Sequence, residues 1–266
     1  MAVILEGGCR VSEMREGEPF ANGTLRVWNR IGRATGAQTI SLRMMEFATG
    51  LSSTIQNEDC DQILYVERGH PARISEPSER TEPFASITID GDQFEIDPAT
   101  GTYIRPKQTF AIENPSPDSI VIISSRCPDP DSAQRFVEPP TASSDSSRLD
   151  QPPIVRLADR PAQPTADRWY RLLVDDEIGS EQVTQFVGSI PPGRAPDHFH
   201  NYEEVLFILK GEGRMWAGET NTPIGIGSCI YLPKGQVHCV ENTGPGELRL
   251  LGLFYPAGSP RVRYDV

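Results

Sequence analysis

The sequence predicts an all-β chain made of two copies of one fold. Three observations lead there. The 266 residues include 24 prolines and 23 glycines and few long stretches of helical period, the composition of a turn-rich β protein. Short apolar runs recur along the chain, bounded by Gly, Pro, Asn or Asp. Two segments also repeat at a spacing of about 140 residues, the signature of a duplicated structural unit. Gln62 to Gly69 (QILYVERG) aligns with Glu204 to Gly211 (EVLFILKG). Pro106 to Asn114 (PKQTFAIEN) aligns with Pro233 to Asn242 (PKGQVHCVEN), one residue shorter.

Residues 1–20 are mixed and polar and read as an arm lying across a barrel or a subunit partner. The pattern turns apolar from Thr24 to Trp28, and Thr39–Phe47 alternates as a strand does. Ile63–Val66 is a further strand. Ala85–Ile89 and Phe94–Ile96 flank Asp90-Gly91-Asp92, the signal of a hairpin. Tyr103-Ile104, Phe110–Asn114 and Ile120–Ile123 complete the first unit, which spans residues 21–126. Residues 127–166 carry two Pro-Pro pairs and a polar Ser-rich run, and read as a linker, partly disordered or strapped across a surface. Strand patterns resume at Arg168, continue through Gln182–Gly188 and close with Arg249–Tyr255, so the second unit spans 167–258.

Net charge is −12, which argues against nucleic acid or an anionic membrane as a partner. No apolar run approaches the length of a membrane span, and the first residues do not read as a signal peptide. Cys9, Cys60, Cys127, Cys229 and Cys239 form no Cys-x-x-Cys pair, which fits a reducing compartment. The expectation is a cytoplasmic protein.

The chemistry is concentrated between Gly193 and Asn242, which holds three of the four histidines. His198 and His200 flank one residue, so on a strand both imidazoles face the same side. Glu204 comes four residues later at the same parity, and His238 lies on a second strand beyond the Pro233-Lys234-Gly235 turn. Three imidazole nitrogens and one carboxylate oxygen form a first-row transition-metal set.

These residues resemble the two motifs of the cupin superfamily. Its first motif runs Gly, five residues, His-x-His, three or four residues, Glu, six residues, Gly. Here Gly193, His198, His200, Glu204 and Gly211 match it, with only the first gap one residue short. The second motif is matched without a gap by Gly227, Pro233, Gly235, His238 and Asn242. The close resemblance covers residues 167–257, with the first half a degraded copy, and implies a bicupin of two double-stranded β-helix (jelly-roll) barrels. It implies that His198, His200, Glu204 and His238 hold one divalent transition metal ion, among Fe, Mn, Ni, Co, Cu or Zn. In the first copy the matching positions hold Gln56, Glu58, Gln62 and either Phe110 or Ala111, so no metal is expected there. His70 reads as a solvated turn residue.

Such a ligand set leaves two cis positions open in an octahedron, which suits catalysis better than a closed structural site. The reading is a metal-dependent enzyme acting on a small organic molecule, with oxygenase (dioxygenase-like oxidoreductase) chemistry favoured. The alternatives are a decarboxylase, isomerase, lyase or aminohydrolase, or a small-molecule-binding cupin without turnover. Glu204 is the candidate catalytic residue, as a ligand or as a base that leaves the ion. Phe186, Tyr202, Phe207 and Tyr231 are candidates for the barrel mouth or the core, and Gln182 and Gln185 for substrate contact or solvent. Asn242 is expected to close a turn, and Cys229 and Cys239 to stay off the ion. Exposed sheet edges and barrel faces predict a homo-oligomer, a dimer in the simplest case.

Overall fold

A computed structural model describes residues 1–67, 84–140, 153–165 and 167–261. His70 and the Ser-rich run of the linker lie outside the described residues. The regular secondary structure of the described chain is almost all strand, with a few 3-10 turns, arranged as two jelly-roll barrels. Among the described residues these strands form four sheets, of seven and six strands in the first barrel and of eight and four in the second.

The duplication runs deeper than the two matched segments. In the first barrel the strand Leu25–Ile31, a 3-10 turn at Arg33–Thr35 and the strand Leu42–Phe47 succeed one another. In the second, Arg168–Val174, a 3-10 turn at Asp176–Ile178 and Thr184–Ile190 do the same. Each turn ends on a left-handed glycine, Gly36 and Gly179. The hairpin at Asp90-Gly91 joins Ala85–Ile89 to Asp92–Ile96, and both loop residues have positive φ, as its two-residue turn demands.

The seven- and eight-stranded sheets pack back to back. Trp28, Met44 and Tyr103 from the first barrel form one apolar cluster with Val187, Phe207 and Leu251 from the second. The strand Glu203–Lys210 shows the consequence. Leu206 and Ile208 fill the second barrel, while Val205 and Phe207 face the first. Both faces are buried, so the strand reads as a continuous apolar run with no alternation.

Segments outside each repeat complete the barrels. The arm forms strands, and Arg10–Glu13 pairs antiparallel with Ser228–Leu232 of the second barrel. Gly7 is needed there: it has φ +66°, and a Cβ would lie 1.5 Å from Gln236 Oε1. Parts of the 127–166 stretch are strands as well. Arg135–Val137 and Ile154–Arg156 pair with first-barrel strands, and Gln163–Thr165 with Arg168–Val174 of the second.

Candidate metal centre

His198, His200 and His238 converge inside the second barrel, each offering one ring nitrogen, with these atoms all within 4.8 Å of one another. Glu204 Oε2 lies 3.7 Å from His200 Nε2 and 3.5 Å from His238 Nε2. Backbone pairing sets this up. His198 and His238 exchange both main-chain hydrogen bonds, at 3.1 and 2.8 Å. Gly235, at φ +79°, donates its N–H to His200 O at 2.8 Å and so ties the turn before His238 to the His-x-His segment. Glu204 enters from the neighbouring sheet, where its parity points it inward.

The donor set fits a metal. Nδ1 of His198 lies 3.0 Å from Pro196 O, and Nδ1 of His238 lies 2.8 Å from Gln236 O. A carbonyl can only accept, so each Nδ1 carries the proton and each Nε2 presents a lone pair. Burial, with the neighbouring His238 next in weight, pushes His198 down to about 4, which keeps it neutral and competent to ligate. Burial acts to raise the Glu204 carboxyl. Where the metal-free cluster takes up a proton, a hydrogen bond from His238 and the positive charge of the imidazoles outweigh burial and hold the group below its ordinary value.

The cluster opens on a cavity of about 110 Å³. Its walls are largely apolar, including Phe186, Leu206, Val240 and Phe254. Tyr202 stacks on His200, with ring centroids 5.0 Å apart and planes 10° from parallel.

The other candidates divide. Phe186 lines the cavity. Phe207 packs between the barrels, and Tyr231 turns the same way and donates its hydroxyl to Glu203. Gln185 is buried against the first barrel, where a Cβ on Gly101 would meet its Oε1 at 2.8 Å. Gln182 accepts from Tyr255 at 3.5 Å. Asn242 closes its turn, donating to Ile190 O and Gly246 O and accepting from Gly244 N. Cys239 receives Arg194 Nε on the other side of its strand, and Cys229 is buried between the barrels.

The first barrel is built differently at the matching place. Asn114 pairs with Gly50 as Asn242 pairs with Gly193, so Phe110 takes the position of His238. Phe110 faces Ile55, and so Ile55, not Gln56, stands where His198 does. Lys107 N donates to Glu58 O as Gly235 N does to His200 O, which matches Glu58 to His200. Two guanidiniums enter where the second barrel has rings: Arg43 matches Phe186, and Arg126 matches Phe254. They are 3% and 4% exposed. Arg43 donates to Gln134 Oε1 and Ser124 Oγ, Arg126 to Ser132 O, and Ser132 Oγ to Glu58. Sequence alignment missed this network because the arginines lie on strands outside the two matched segments.

Comparison with known proteins agrees with this architecture. Residues 186–254 match the Cupin domain family. The chain is similar to auxin-binding protein 1 of Arabidopsis thaliana, 34% identical over 29% of this chain and 43% of that protein. It is similar also to an oxalate-binding protein of Thermotoga maritima, 34% identical over 24% of this chain and 55% of that one. The chain thus spans about half the length of these curated relatives. Among solved structures, a mutant of Bacillus subtilis oxalate decarboxylase superposes with a TM-score of 0.75 at 12% identity, covering 96% of this chain and 79% of that one. At that identity the likeness speaks for the fold alone. The Cupin domain match falls on the second of the two jelly-roll barrels, so that barrel carries a cupin domain.

Proposed function

We propose that the second barrel holds one divalent transition metal ion on His198, His200, His238 and Glu204, and that the protein acts non-oxidatively on a small organic acid. The observation that carries this is the convergence of three oriented imidazoles and one buried carboxylate at a largely apolar cavity. The bound ion would supply a Lewis acid for a carboxylate or carbonyl oxygen. The chain's own residues do the rest. The backbone carbonyls of Pro196 and Gln236 hold two imidazoles in the ligating tautomer. The apolar walls exclude water and strengthen charge interactions inside. Glu204 stays ionised, and off the ion it would accept a proton at Oε2 beside His200 and His238.

The oxygenase reading rests on open coordination positions alone. The relatives named for binding or decarboxylating oxalate support the non-oxidative alternative, with manganese among the ions to test first.

The test is metal analysis of the purified protein and of His200→Ala, and then turnover of Mn(II)-loaded protein with small carboxylic acids. His200→Ala is expected to lose the ion and its contribution to thermal stability. Carbon dioxide release or isomerisation without dioxygen uptake is expected. Stoichiometric dioxygen consumption would return the assignment to an oxygenase.

A further inference from the structure

The cavity has a second polar feature at the other end of its sheet: Trp169, next to Arg168, pairs with Ser189 near the end of Thr184–Ile190, whereas Glu204 pairs with Phe254 and Phe254 with Thr184 at its start. Arg168 lines the cavity, and is the sole arginine or lysine to do so among the described residues. Its placement comes from register. Tyr170 lies directly opposite Gly188, and both line the cavity. Arg168, two residues earlier on the same strand, shares that face. Its side chain is only 15% exposed. Nε donates to Asp167 Oδ1 at 2.9 Å, and among the described residues no hydrogen bond engages either Nη. Asp167 is 63% exposed, so this pairing is solvated and weak. The unused edge of the guanidinium is a planar two-donor fork.

We infer that Arg168 receives an anionic group at the outer end of the substrate, whose other end reaches the metal centre across an apolar stretch. The ligand class is therefore an organic acid with two polar ends and a hydrocarbon or aromatic body. Polar groups at both ends of an apolar cavity fix orientation, while the walls between supply burial. Overall charge cannot recruit an anion here, since the chain carries −12, so selection must come from a local, partly desolvated cation. The inference rests on the proposed metal reading.

The test uses Mn(II)-loaded protein and two series of alkyl hydroxamates of graded length, one ending in a carboxylate and one in a methyl group. The hydroxamate head binds metal in both, so only the tail differs. Calorimetric titration is expected to show the carboxylate-ended probe binding about tenfold tighter at one length, the scale of one charge-assisted contact. Arg168→Gln should abolish that preference and leave the methyl-ended probe unchanged, and Arg168→Lys should retain part of it. Equal binding of both series at every length, or a preference that survives Arg168→Gln, overturns the role of Arg168 alone. Hydroxamate binding that survives His200→Ala, or no binding of either series, overturns the metal reading and this inference with it.

Discussion

Glu203 and Glu204 are neighbours on one strand and serve opposite sides of it. Glu204 points into the second barrel at the imidazole cluster. Glu203 points at the first barrel, where its carboxylate accepts from Gln38 N at 2.8 Å, Thr39 N at 2.7 Å, the Thr39 hydroxyl and the Tyr231 hydroxyl. The strand that delivers a candidate metal ligand is thus the strand that clamps the barrels together. Glu203→Ala removes an acceptor from four donors in a buried setting and is expected to cost about 2–4 kcal/mol. Thermal denaturation should show the loss. Metal content should fall less than in His200→Ala, since all four candidate ligands remain.

The two barrels differ in what they offer a cation. The first has Gln62, Glu58, Ile55 and Phe110 at the matching places, with the buried Arg43 and Arg126 beside them. Burial, reinforced by the charge of Arg126, pushes Arg43 down to about 9, which leaves it charged near neutrality. Elemental analysis should give one metal ion per chain. A ratio of two would show that the first barrel also binds.

The metal-free protein should weaken as pH falls from about 6.5 to about 4. His198 is held at about 4 in the fold against an ordinary value of 6.5, so within that window the unfolded chain binds the extra proton. Stability therefore rises with pH through the window and levels off above it. His198→Gln in the metal-free protein should flatten this part of the profile, read as thermal midpoint against pH. An unchanged slope would contradict the assignment.

Gly252 lies opposite Phe186, and a Cβ on it would come within 2.2 Å of the Phe186 ring. Gly252→Ala must therefore move the ring, with the cavity as the open side. Overpacking of this kind is expected to cost about 1–3 kcal/mol. Weaker binding of the methyl-ended hydroxamate should accompany it. Unaltered binding would show that Phe186 moves elsewhere.

The sequence by itself determined the features that depend on short spacings. The His-x-His spacing, with Glu204 four residues on, marked these side chains as one group, although His198 proves to stand in an isolated bridge to His238 and Glu204 on a strand of the other sheet. Positive φ at a two-residue turn favours Asp-Gly, so the Asp90-Gly91 hairpin was legible too. The repeat marked two copies of one fold because each copy needs the same apolar strands. The tertiary structure decided the features that depend on long-range pairing. Which residue stands opposite Phe110 is a matter of register, and it proved to be Ile55. That the arm Arg10–Glu13 completes the second barrel, that Glu203 reaches Thr39 and that Arg168 shares a cavity with His238 each join residues far apart in the chain. No local propensity encodes such contacts, because they exist only once two sheets have found each other and buried their common faces.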